Sequence, residues 1–73
     1  MEEVLKNRVR FARKRKKYSQ QKLAELTGVS RQTICSIENG QFAPTAKLAL
    51  KICNVLEQKF EHLFYLERSE TTK

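Results

Sequence analysis

The sequence predicts an all-α domain of four helices and a short fifth helical turn, on three observations. Ser19, Ser30 and Thr45 each stand immediately before an apolar-periodic segment, the position of a helix N-cap. Between Gln20 and Gly40, Ala24, Gly28 and the apolar residues Leu23, Val29, Ile34 and Ile37 are spaced to lock two short helices across a tight turn. Leu48, Ala49, Ile52, Cys53 and Leu56 recur at i, i+1, i+4, i+5 and i+8, a stripe wide enough to close a core over that pair.

The first helix is expected over residues 6–16, with Val9, Ala12 and Leu5 facing inward at spacings of three and four and Phe11 off the stripe. Ser19 caps a second helix over 20–27, which Gly28 ends by taking a positive φ, and Tyr18 packs at the junction. Ser30 caps a third helix over 31–38, stopped by Asn39-Gly40. Residues 41–44 form a loop, because Pro44 disfavours helix in the residue before it, and Thr45 caps a fourth helix that reaches Leu56. Beyond Gln58 the apolar residues Phe60, Leu63, Phe64, Tyr65 and Leu66 fit a helical turn followed by a few extended residues. They carry more apolar surface than a tail needs, so they either fold back on the first helix or meet another subunit, and residues 2–5 can pair with them as a small strand. Residues 1–68 form a single domain, with the two-helix unit at 20–39 and a disordered tail at 69–73.

Composition narrows the function. Seventy-three residues bury one modest core, which leaves room for help from a dimer interface and little for an enclosed active site. Fifteen Lys and Arg against eight Glu give a net charge of +7, which favours nucleic acid over anionic membrane or acidic protein. The charge is uneven: residues 1–22 carry nine basic and two acidic side chains, so the positive field sits beside the two-helix unit. The run Arg13-Lys14-Arg15-Lys16-Lys17 suits a solvated helix carboxy terminus, but phosphate contact or steering is the favoured reading because the run shares a domain with the two-helix unit. No segment is long and apolar enough to span a bilayer and none has the pattern of a secretory signal, so the expectation is a cytoplasmic protein with no membrane association. Cys35 and Cys53 lie outside any CxxC pair and have only His62 for company, so no metal site or cofactor is expected. No nucleophile and base, carboxylate pair or phosphate-binding glycine loop is visible, so no enzyme activity is expected. RNA is disfavoured too, because an A-form major groove does not admit a helix.

Two short helices crossed in this way are a device for placing the second in the DNA major groove, and Arg31, Gln32, Thr33, Cys35 and Ser36 fall on its outer face. With these residues in view, the chain resembles the phage repressor and Cro-like helix-turn-helix family, or XRE-type regulators, over residues 7–66. The likeness runs through Asn7-Arg8-Val9-Arg10, Ser19-Gln20, Leu23-Ala24-Glu25, Val29-Ser30-Arg31-Gln32-Thr33-Ile34, Ile37-Glu38-Asn39-Gly40, Pro44 and Leu48-Ala49-Leu50-Lys51-Ile52. Ala12, Phe11 and Phe60 depart from the usual pattern, all of them away from the third helix.

The resemblance implies a five-helix phage-repressor-like DNA-binding domain and, for short stand-alone members, a homodimer whose chain ends add a small β-sheet. It also assigns roles. Arg31, Gln32 and Ser36 are expected to reach base edges, where Arg suits guanine O6 and N7 and Gln suits adenine N6 and N7, and Thr33 is placed for a phosphate or a thymine methyl. Gln20 is expected to hold a phosphate at the start of the second helix, where the helix dipole favours an anion. Asn39, Gln41, Phe42 and Lys47 match the loop region that follows the phosphate backbone, and Gln21, Lys14 and Lys17 are the further backbone contacts expected. Arg13 and Glu38 match a structural salt bridge between the first helix and the end of the third. Phe60, Leu63, Phe64, Tyr65 and Leu66 are the expected dimer contacts. The function that follows is a sequence-specific transcriptional regulator, a repressor, that binds an inverted-repeat operator in double-stranded DNA as a homodimer with helix 31–38 in the major groove. An antitoxin-like module holding another protein through its aromatic carboxy terminus is the competing reading.

Overall fold

The computed structural model describes residues 2–69. Strand β1 (Glu2–Asn7) leads into α1 (Val9–Arg15), α2 (Gln20–Thr27), α3 (Arg31–Glu38), α4 (Ala46–Leu56) and the short α5 (Phe60–Leu63), which runs into strand β2 (Phe64–Ser69). The five helices enclose one core, and the two strands pair antiparallel with Leu5 opposite Leu66 and Asn7 opposite Phe64.

Local chemistry sets the middle boundaries. The side-chain oxygens of Ser19, Ser30 and Thr45 accept from the backbone N–H of Lys22 (2.9 Å), Thr33 (3.1 Å) and Leu48 (3.2 Å), so each cap satisfies a donor that the first helical turn leaves free. Gly28 adopts φ 77° and donates to the Ala24 carbonyl at 2.8 Å, which turns the chain from α2 into α3.

Both ends of the chain depart from expectation. Residues 6 and 7, expected in the first helical turn, belong to β1, because they pair with Tyr65 and Phe64 of β2. The helix starts at Val9, whose N–H donates to Asn7 Oδ1 at 3.1 Å, while Asn7 Nδ2 donates to the Ile37 carbonyl at 3.0 Å. Asn7 thus fastens the start of α1 to the end of α3. Ser69, expected in the tail, is the last residue of β2 and pairs with Glu2; the rest of the expected tail, 70–73, lies outside the described residues.

The core comprises Val9 and Ala12 of α1, Leu23 and Ala24 of α2, Ile34 and Ile37 of α3, Ala49, Ile52, Cys53 and Leu56 of α4, with Leu63 and Phe64. Ala24 is 1% exposed, and its small side chain lets α2 and α3 approach closely. Tyr18 and Leu5 are half-buried against this cluster, and Leu48 lies at its edge.

Lys17 ends α1 with φ 63°, a left-handed conformation that costs a side chain with a Cβ roughly 1–2 kcal/mol. Lys17→Gly is therefore expected to stabilise the fold by roughly 0.5–1 kcal/mol after the flexibility of glycine in the unfolded chain is charged against it. A rise in melting temperature checks this; an unchanged or lower one removes the strain argument.

Candidate nucleic-acid interface

Ile34 and Ile37 bury one side of α3 completely, which turns the opposite side outward by helical periodicity. Arg31 and Gln32 are exposed there, and Thr33, Cys35 and Ser36 are half-exposed. This surface divides into two parts. On one side, Gln32, Thr33 and Ser36 line an open polar groove with Ser30 and two residues of the following loop, Gln41 and Phe42. On the other, Arg31 Nη1 donates to Gln20 Oε1 of α2 at 3.3 Å, and Asn39 Nδ2 contacts Cys35 Sγ at 3.5 Å.

The second part is organised by Glu38. Its side chain has no solvent exposure, and its carboxylate accepts from Arg13 Nε at 2.6 Å and Nη2 at 3.2 Å, from Gln20 Nε2 at 3.0 Å and from Arg10 Nε at 3.4 Å. Burial works to raise the Glu38 pKa. The hydrogen bonds from Arg13 and Gln20, the Arg13 charge and the Arg10 contact outweigh it and hold the carboxyl below its ordinary value. Arg13 also donates through Nη1 to the Tyr18 carbonyl at 2.9 Å, so one buried guanidinium ties α1, the α1–α2 link and α3 together.

Gln20 therefore has a different first task from the phosphate contact expected of it. Its carboxamide bridges Glu38 and Arg31, because Glu38 offers a buried anionic oxygen within reach of the helix start. The backbone N–H groups of Gln20 and Gln21, in the first turn of α2, have no preceding helical carbonyl to bond and suit an anion. Gln21 is exposed and donates through Nε2 to Glu25 one turn on, at 3.2 Å.

The loop after α3 is held in place. Gly40, with φ 78°, donates to the Ile37 carbonyl at 3.0 Å, and Gln41 N–H donates to the Ser36 carbonyl at 2.9 Å. Asn39 Oδ1 accepts from Arg10 Nη2 at 2.7 Å. Sequence reasoning missed Arg10, which reaches both Glu38 and Asn39; its place three residues before Arg13, on the same flank of α1, was the available signal. Lys14 lies beside Arg10 and Glu38 in a cleft that also includes Arg8 and Phe11. Lys17 follows α1 and Lys47 lies in the first turn of α4, both exposed.

Of the five aromatic and aliphatic residues expected at a subunit contact, Leu63 and Phe64 are 1% and 3% exposed and belong to the core of their own chain. Leu63 at the end of α5 and Phe64 at the start of β2 pack into that core, so the carboxy-terminal segment folds back and these two are not available to a partner. Tyr65 is half-buried, with the Arg8 guanidinium 4.2 Å above its ring. Phe60 and Leu66 stay exposed at 47% and 60%. Phe60 stacks on Phe64 at 5.4 Å and joins Leu5, Pro44, Ala46, Ala49 and Leu50 around a shallow apolar depression. Leu66 extends that surface, because it sits directly opposite Leu5 on the same face of the sheet.

Among the described residues no group of three or more His, Cys or Glu is placed to hold a metal ion, and no helix is long and apolar enough to cross a membrane. Cys53 is buried, and that burial, with the nearby Glu61 charge, raises its thiol pKa and keeps it protonated.

This geometry agrees with what comparison with known proteins finds. Residues 9–63 match the helix-turn-helix family. The chain is 49% identical over 63 residues to the HTH-type transcriptional regulator YgzD of Bacillus subtilis, covering 86% of this chain and 96% of that protein. It is 41% identical over 66 residues to the HTH-type regulator MJ0272 of Methanocaldococcus jannaschii, covering 90% of this chain and all of the relative. Among solved structures it is similar to the restriction-modification controller protein C.AhdI of Aeromonas hydrophila, with TM-score 0.70 and 30% identity over 74% of this chain and 82% of that one. It is also similar to the clp gene regulator ClgR of Corynebacterium glutamicum, with TM-score 0.69 and 25% identity over 71% of this chain and 55% of that one. With α3 presenting its polar side beyond α2, and with these relatives, the chain belongs to the XRE-type helix-turn-helix family of DNA-binding transcriptional regulators.

Proposed function

We propose that the protein is a repressor that binds an inverted-repeat operator as a homodimer, with α3 of each copy in the major groove of one half-site. The observation that carries this reading is the outward side of α3, where Arg31, Gln32, Thr33 and Ser36 are accessible hydrogen-bonding side chains on a helix anchored from behind by Ile34 and Ile37. Arg31 and Gln32 read bases through paired hydrogen bonds, with Arg31 steadied by Gln20, and Thr33 and Ser36 add single contacts. The start of α2, Asn39, Gln41, Lys14, Lys17 and Lys47 meet phosphates and set the register.

The apolar surface around Leu50, Phe60 and Leu66 supports a second copy as partner, since two identical patches cover each other about a two-fold axis. Half-sites about 10 bp apart then put both α3 helices on one side of the duplex. Occupying such a site in the cytoplasm excludes polymerase sterically, the simplest route to repression.

Selection of bound duplexes from a random pool at physiological salt, with the mass of the complex read in parallel, tests the whole reading. The expected product is a two-fold symmetric site holding two chains; an asymmetric site holding one chain would overturn the dimeric operator. On that site Gln32→Ala is expected to relax base preference at one position per half-site by about 1–3 kcal/mol, whereas Lys14→Ala weakens all sequences alike and lowers the salt slope by about one. A selected motif unchanged by Gln32→Ala would remove the base-reading role.

A further inference from the structure

The ring of Phe42 is 46% exposed, in a groove whose other walls, Ser30, Gln32, Thr33, Ser36 and Gln41, are all polar. It does not line the apolar depression around Leu50 and Phe60. The chain that leads to it is tied to α3 through the Gly40 and Gln41 N–H groups, and Pro44 restricts the backbone of the residue after Phe42. An apolar ring gains nothing from a phosphate. The one apolar group that a base edge shows in the major groove is the thymine C5-methyl.

We propose that Phe42 contacts a thymine methyl next to the base read by Gln32, so that the groove reads one apolar and one polar feature side by side. This rests on the DNA-binding reading above and adds a specificity-determining residue outside α3. The contact releases no counterions, so its contribution is independent of salt.

The test replaces each thymine of the selected operator in turn with deoxyuridine, which removes only the methyl, and measures binding of the wild type, Phe42→Ala and Phe42→Leu. At one position the wild type is expected to lose roughly four-fold in affinity per half-site, the worth of one buried methyl group. Phe42→Ala binds the thymine operator correspondingly more weakly and no longer distinguishes thymine from uracil at that position. Its salt slope is unchanged, and Phe42→Leu recovers part of the discrimination. Melting temperatures of both variants, expected to match the wild type, separate a lost contact from a lost fold. Uracil tolerated everywhere by the wild type, or discrimination that survives in Phe42→Ala, overturns the assignment while leaving DNA binding intact. Absence of any salt-sensitive duplex binding by the wild type overturns the DNA-binding reading itself, and this assignment with it.

Discussion

Glu38→Ala is expected to cost about 3–5 kcal/mol of folding stability, because removing the carboxylate leaves the buried Arg13 guanidinium without its counter-charge and strips Gln20 of its acceptor. A domain of this length has a total of only roughly 4–11 kcal/mol, so the loss is a large fraction of what holds the fold together. Chemical denaturation measures the loss, and a midpoint within a few tenths of the wild type would sink the claim. The same group sets an acid limit. Its pKa is lowered on folding, so the folded state binds this proton less readily than the unfolded chain does. The stabilisation is therefore complete above the ordinary glutamate range and is lost as pH falls through the depressed folded value. The wild type should lose melting temperature on going from pH 7 to pH 3 more steeply than Glu38→Ala in conditions where both fold. Parallel slopes would show that Glu38 is not the titrating group.

Leu50→Glu is expected to leave the chain folded and to make it a monomer. Leu50 is 56% exposed in the single chain, so the new charge disturbs little of the core, whereas in a dimer it would be buried at the centre of an apolar contact without a partner. Two half-sites bound by linked α3 helices gain from effective concentration, and separating the copies forfeits a factor of 10² or more in operator affinity. Sedimentation and operator binding read both effects. A variant that stays dimeric would place the subunit contact elsewhere, and a monomer that keeps full affinity would remove the two-half-site mechanism.

Glu38 and Arg13 illustrate what a sequence discloses. Their pairing followed from resemblance, yet the participation of Gln20 and Arg10 did not, because four side chains from three helices meet only after the helices have packed. Gln20 could be read as a phosphate contact from its place at a helix start, and the competing carboxylate that claims its amide comes from eighteen residues away. The carboxy-terminal segment makes the same point. The apolar run Leu63 to Leu66 admits either a subunit contact or a fold back onto its own chain, and hydrophobicity alone does not separate these, since the driving force has no direction.

The sequence by itself determined the helices from α2 to α4 and the outward side of α3, because caps, a left-handed glycine and a 3.6-residue period are local signals that act within a few residues. Only the tertiary structure decided that β1 takes Lys6 and Asn7 from the first helix, that Leu63 and Phe64 are core while Phe60 and Leu66 are surface, and that Glu38 joins α1, α2 and α3. Each of these is a competition for one group between partners distant in the chain, and its outcome is set by which backbone and side-chain atoms the packed helices bring within hydrogen-bonding or van der Waals reach.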